Sequence, residues 1–219
     1  MEAGEFIARE AVNCQQCVCD RRGRKQKVVM AFEIDFLPVG DGERSGDAIA
    51  LRFGNIAGSR AEQVVMVIDG GTQDSGDALV KHVRQFYRTD YIDYVISTHA
   101  DLDHAAGLKV VLEEMDFGEL LMHRPWEHSA EICDLFKSPR LTASGLSDKL
   151  EKAIDAAHEL EQIAQRKQRP VTEPFAGVSR ANGAVMVLGP SKSLYEELIP
   201  HFRSTRPRRE PLCQGFSRK

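Results

Sequence analysis

The chain has 219 residues, 42% of them hydrophobic and 28% charged, with a net charge of −4. That length fits one domain of ordinary size with room for appendages, and the composition excludes a chain unable to build a core. No apolar run approaches the roughly 20 residues that a membrane helix needs, and Glu2, Glu5 and Glu10 occupy the start in place of an apolar secretory segment, so a cytoplasmic protein with no membrane contact is expected.

Residues 1–28 show neither a helical nor a strand period and are expected to form a poorly ordered leader. They hold Cys14, Cys17 and Cys19, three of the five cysteines. A structural zinc needs four ligands and the nearest histidine in sequence is His82, so free, reduced thiols are the expected reading of this cluster. A domain is expected over 29–202. Val28–Leu37 alternates at Phe32, Ile34 and Phe36 and predicts a strand, with a Gly- and Asp-rich loop after it. Ala48–Phe53 predicts a second strand. Val64–Asp69, continuously apolar until its last residue, predicts a strand buried on both faces and ended by Gly70-Gly71.

The period then switches. Leu79, Val83 and Phe86 predict a helix over 77–87, and Tyr94–Ser97 a short buried strand. Leu108, Val111, Leu112 and Met115 share one face of a helix over 105–115. A strand begins at Leu120, and a long charged helix over 147–167 carries Leu150, Ile154, Ala157 and Leu160 as its apolar stripe. Ala184–Leu188 predicts a last strand and Ser193–Phe202 a short helix. Residues 203–219 carry six basic residues and one acidic, and are expected to be a basic disordered tail. Residues 31–202 hold 17 basic and 28 acidic residues, which argues against a broad grip on a phosphate backbone. Strands first, then alternating helix and strand, predict a layered α/β domain with a mixed sheet.

Metal-ligand side chains concentrate in Thr98-His99-Ala100-Asp101-Leu102-Asp103-His104, between a buried strand and an amphipathic helix. A strand-to-helix loop is where a sheet presents polar groups without disturbing the core. Asp101 and Asp103 repel each other unless a cation draws them together, so His99, Asp101, Asp103 and His104 are candidate metal ligands. Taken singly, Asp103 also suits a helix N-cap and His99 a satisfied histidine at a strand end. Of the other histidines, His123 and His128 are candidates to face a cleft, with Trp126 beside them; a loop aromatic packed over the sheet is the favoured reading of Trp126. His82 and His158 are expected to lie on solvated helix faces.

The segment resembles the signature of the metallo-β-lactamase fold, in the variant His-X-Asp-X-Asp-His. Phe36-Leu-Pro-Val-Gly40-Asp-Gly42, Gly46-Asp47, Val67-Ile-Asp69-Gly70-Gly71 and Ile96-Ser-Thr-His99 follow in the order seen in the branch typified by the hydrolase-like domain of ComEC-type competence proteins. The resemblance spans about residues 32–125. It implies an αββα sandwich and a metal-dependent hydrolase acting on a phosphodiester or related ester, of a nucleic acid or a small molecule. It also implies a divalent metal, zinc first and manganese second, with two ions where the ligand set is complete. His99 and Asp101 would bind the first ion, Asp103 and His104 the second. Asp103 would also orient the attacking water, and Asp69 and Asp47 would support the ligands from behind. Asp101 replaces a family histidine and favours manganese. The family's later ligands have no counterpart after Pro190, so the sandwich is expected to be incomplete at its C-terminal end. A truncated half-domain that acts as a binding or regulatory module, paired with itself or with a partner that covers the missing half, is the alternative.

Overall fold

The computed structural model describes residues 8–19, 25–40, 46–99, 102–136 and 142–202. They fall into two compact units, one from Met1–Arg124 with Ile154–Gly189, the other from Pro125–Ala153 with Pro190–Lys219.

The first unit is built on a seven-stranded mixed sheet in the order β1-β2-β3-β4-β5-β6-β7. Its strands are β1 (Ala8–Cys19), β2 (Lys25–Phe36), β3 (Ala48–Gly54), β4 (Gln63–Gly70), β5 (Tyr91–Ser97), β6 (Asp116–Met122) and β7 (Val171–Thr172). β1 to β4 form an antiparallel meander, and β4 to β7 run parallel. Within residues 1–28, expected as a poorly ordered leader, Ala8–Cys19 pairs with β2 along its whole length. A ladder of backbone hydrogen bonds needs no side-chain period, and that is why the strand left no pattern to read. The Cys14/Cys17/Cys19 cluster lies on this strand, its side chains outside the described residues, as is the expected tail over 203–219.

Helices α1 (Gln73–His82) and α2 (Leu102–Glu114) cross over from β4 to β5 and from β5 to β6. Two successive crossovers in one direction between parallel neighbours, of the hand that such units almost always take, place both helices on one face of the sheet. There they bury Leu79, Val80, Leu108, Val111 and Leu112 against Val65, Val67, Val95 and Leu120. α1 begins at a Thr72 cap, whose hydroxyl accepts from the Ser75 amide, and passes into a wider π-type turn over Val83–Tyr87. In the second unit, α3 (Ser129–Ile132) and α4 (Ala143–Ala153) follow. The expected helix over 147–167 is two helices, because Ile154 leaves helical geometry (φ −126°, ψ 43°) before α5 (Asp155–Arg166) starts. Its expected stripe is nonetheless buried, since the interruption is a single residue. β8 (Ser179–Arg180) and β9 (Val185–Met186) form a small ribbon, so the strand expected over 184–188 is much shorter. α6 (Lys192–Leu198) completes the second unit.

The sheet's two faces differ. Under the helices lie small residues, Ala48 and Ala50, and a buried polar group from β2 and β3. The registers align Phe32, Phe53 and Val64, then Ile34, Leu51 and Met66, then Phe36, Ile49, Ile68 and Ile96 on the opposite face. Apart from the buried Met66, these residues are half-buried or exposed. A central mixed sheet with α1 and α2 packed on it is consistent with the metallo-β-lactamase fold that the sequence resembles.

Candidate metal centre

β4 and β5 lie side by side and parallel, and their carboxyl ends hold the site, as the switch from strand to loop in such sheets usually does. At the end of β4, Asp69 takes a left-handed conformation (φ 53°) and Gly71 follows with φ 62°. The left-handed region is uncommon for residues other than glycine, with Asp among the tolerated exceptions, and persists where surrounding contacts over-determine it. Here those contacts are three hydrogen bonds. Asp69 Oδ1 accepts from the Thr98 amide at 2.8 Å, and Oδ2 accepts from the Thr98 hydroxyl and from His104 Nδ1, the latter at 3.1 Å. Asp69 is 1% exposed and His104 7%.

α2 carries His104 into this position by packing unusually close to β4. A Cβ on Gly107 would stand 1.8 Å from the Gly70 carbonyl oxygen, and one on Gly70 would stand 2.1 Å from the Leu108 nitrogen. The Gly107 amide donates to the Gly71 carbonyl at 3.0 Å, which ties the helix to the loop after Asp69. Without side chains at these crossing points, backbone meets backbone.

His99 lies at the end of β5, its ring centroid 3.8 Å from that of His104 and tilted by 54°. Its Nδ1 is 2.8 Å from the Thr98 hydroxyl. Asp69, His99 and His104 each offer a ligand atom, and these atoms lie within 4.8 Å of one another. Two imidazoles and a carboxylate form a donor set suited to zinc or a similar divalent ion. The residues present therefore fit the metal that the sequence implies.

Among the expected ligands, the structure brings His99 and His104 together. Asp101 lies outside the described residues, and Asp103 is in α2 with its side chain outside them. Asp69, expected behind the ligands, contacts His104 directly. Asp47 is peripheral: its side chain is 64% exposed and its Oδ2 stands 4.0 Å from His104 Nδ1, beyond hydrogen-bond range. His123, at the carboxyl end of β6, packs on Phe175 and stands 3.9 Å from Glu173. His128 is buried in the second unit, 2.9 Å from Glu196 and edge-on to Tyr195, and Trp126 is buried there too.

Two features escaped the sequence reading. Thr98 is the first, joining Asp69 to His99; a hydroxyl directly before the candidate ligand was its one available signal. The second is His82, expected on a solvated face and in fact 4% exposed. Its Nε2 lies 2.9 Å from Asp35 Oδ2, and Tyr87 donates to that same oxygen at 2.6 Å. Arg52 pairs with Glu33 beside them and stacks over the Tyr87 ring. Burial, reinforced by the Asp35 carboxylate, pushes the Tyr87 hydroxyl far above the ordinary phenol range, so it stays protonated. The Asp35 partner comes from a strand 47 residues upstream, which no helical period reveals.

Residues 59–132 match a family model described as the metallo-beta-lactamase superfamily. No curated protein matches the chain by sequence. Among solved structures, it is similar to the metal-soaked Flv1 flavodiiron core from Synechocystis sp. PCC6803, with 15% identity and a TM-score of 0.40. That similarity covers 81% of this chain and 34% of the other, so this chain spans about a third of the neighbour's length. No helix among the described residues is long and apolar enough to cross a membrane.

Proposed function

We propose that the chain is a metal-dependent hydrolase whose divalent ion is held by His99 and His104, with Asp101 and Asp103 completing the ligand set. The observation that carries this reading is the convergence of His99, His104 and Asp69 at the carboxyl ends of two parallel strands. The superfamily match over 59–132, which includes all five of these residues, supports the same chemistry. A bound divalent cation supplies a water acidic enough to be hydroxide near neutral pH and a Lewis acid for the developing oxyanion. The chain's own part is to fix the ligands. Asp69 holds the His104 ring by Nδ1, and Thr98 contacts both Asp69 and His99 Nδ1. Asp103 is the residue proposed to orient the attacking water and take up its proton.

Zinc is the first expectation and manganese the second, since Asp101 adds an oxygen donor where nitrogen is usual. A phosphodiester is the proposed substrate, supported by the resemblance to the competence-type branch; the acidic middle of the chain favours a small or locally held substrate over a long duplex. A cytoplasmic location belongs to this reading, supported by the odd number of cysteines. Hydrolysis of bis-(p-nitrophenyl) phosphate, measured with zinc or manganese for the wild type and Asp103→Ala, tests it. Metal-dependent turnover that disappears in the variant is expected, and a metal-loaded wild type that turns over no ester overturns it.

A second reading is favoured by the sheet face opposite α1 and α2 in the first unit, which carries apolar rows among the described residues. The apolar rows from Phe32 to Ile96 are what a second layer covers in a sandwich. A binding module paired with itself or with a partner layer is therefore the alternative. Size-exclusion chromatography with a hydrophobic dye separates the two: a dye-silent monomer opposes the alternative, and a dimer or strong dye binding favours it.

A further inference from the structure

We infer that Thr98 is a positioning residue that sets the tautomer of His99, relaying the demand of Asp69 across its hydroxyl; this rests on the metal-site reading above. A carboxylate accepts only, and a hydroxyl has one proton to give. Thr98 directs both of its donors at Asp69, the amide to Oδ1 at 2.8 Å and the hydroxyl to Oδ2. With that proton committed, Oγ1 meets His99 Nδ1 at 2.8 Å only as an acceptor. His99 Nδ1 therefore carries hydrogen, and in the neutral ring the lone pair sits on Nε2.

The same carboxylate fixes the second ring without an intermediary. His104 Nδ1 lies 3.1 Å from Asp69 Oδ2, so the proton is on Nδ1 and the lone pair again on Nε2. One buried carboxylate thus dictates which nitrogen each imidazole can offer, directly for His104 and through Thr98 for His99. Removing the Oγ1 acceptor removes the group that holds the His99 proton on Nδ1, so the Nδ1-protonated share of His99 falls. Thr98 is itself exposed, which makes its hydroxyl replaceable without opening the core.

Thr98→Val removes the hydroxyl and keeps the amide contact; Thr98→Ser restores the hydroxyl. Nitrogen-15 NMR of histidine-labelled apo protein reads the tautomer of His99, and competition with a chromophoric chelator reads zinc affinity. The wild type and Thr98→Ser are expected to show His99 protonated at Nδ1. Thr98→Val is expected to show a mixed population and about 10–100-fold weaker zinc binding, the usual cost of losing a partner behind a ligand. An unchanged tautomer in Thr98→Val overturns the inference, as does zinc affinity within about twofold of the wild type. If Thr98→Val does not fold, Thr98→Ala is read in the same way. A wild type that binds neither zinc nor manganese refutes the metal reading, and the apo tautomer then decides the role of Thr98 by itself.

Discussion

The Nδ1 of His104 stands 3.1 Å from Oδ2 of Asp69, and both side chains are almost wholly removed from water. Asp69 also accepts from two groups of Thr98, so its removal orphans three donors at once. Asp69→Ala should cost about 1–3 kcal/mol, because the buried His104 Nδ1 donor loses its partner while the two Thr98 donors can turn to water. Urea denaturation measures this, and a change close to zero would show that Asp69 holds nothing in place. Asp69→Asn keeps the shape but supplies an amide where an acceptor is needed, so metal affinity should fall about 10–100-fold while most of the stability survives.

The crossing of α2 over β4 has no room for a side chain. Gly107→Ala would drive a methyl group to 1.8 Å from the Gly70 carbonyl oxygen, contact with rigid backbone on both sides. The helix must shift, and His104, one turn earlier, shifts with it. A loss of about 3 kcal/mol or more is expected, as for severe overpacking, together with loss of metal binding. Thermal unfolding and metal titration of the same sample check both effects, and a variant as stable as wild type contradicts the close packing.

Tyr87 gives a pH dependence of definite sign. Its folded pKa lies above the unfolded value, so the stability it contributes is complete below about pH 10 and is lost as pH rises further, by about 1.4 kcal/mol per pH unit. The difference in unfolding free energy between wild type and Tyr87→Phe should therefore shrink above about pH 10. At neutral pH the lost hydrogen bond to Asp35 should cost about 1–2 kcal/mol. Urea titrations at neutral and alkaline pH provide the comparison; a difference that stays constant with pH would place the Tyr87 hydroxyl in water in the folded protein.

The sheet from β2 to β6 and helices α1 and α2 were legible because each carries its own period, alternate residues in a strand or an apolar stripe in a helix. His99 and His104 were legible because six residues of sequence hold the whole cluster. What could not be read is what long-range contact decides. His82 has the spacing of a solvated helix residue, yet Asp35 and Tyr87 hold it in the core. Asp69 and Thr98 lie 29 residues apart and meet only because β4 and β5 are neighbours in the sheet. β1 shows no period because its place rests on backbone pairing with β2. The break at Ile154 is a single-residue departure inside an unbroken apolar stripe, which composition alone does not expose.

The imidazoles of His99, at the end of β5, and His104, in α2, are proposed to hold a divalent ion. Metal bound per chain, measured by plasma mass spectrometry after zinc loading and exhaustive dialysis, tests it most directly in the wild type and in the His99→Ala/His104→Ala double variant. The wild type should retain about one equivalent or more and the folded double variant almost none, as expected for a site built on these ligands. Equal zinc in both proteins, or a folded wild type that retains none, would contradict it.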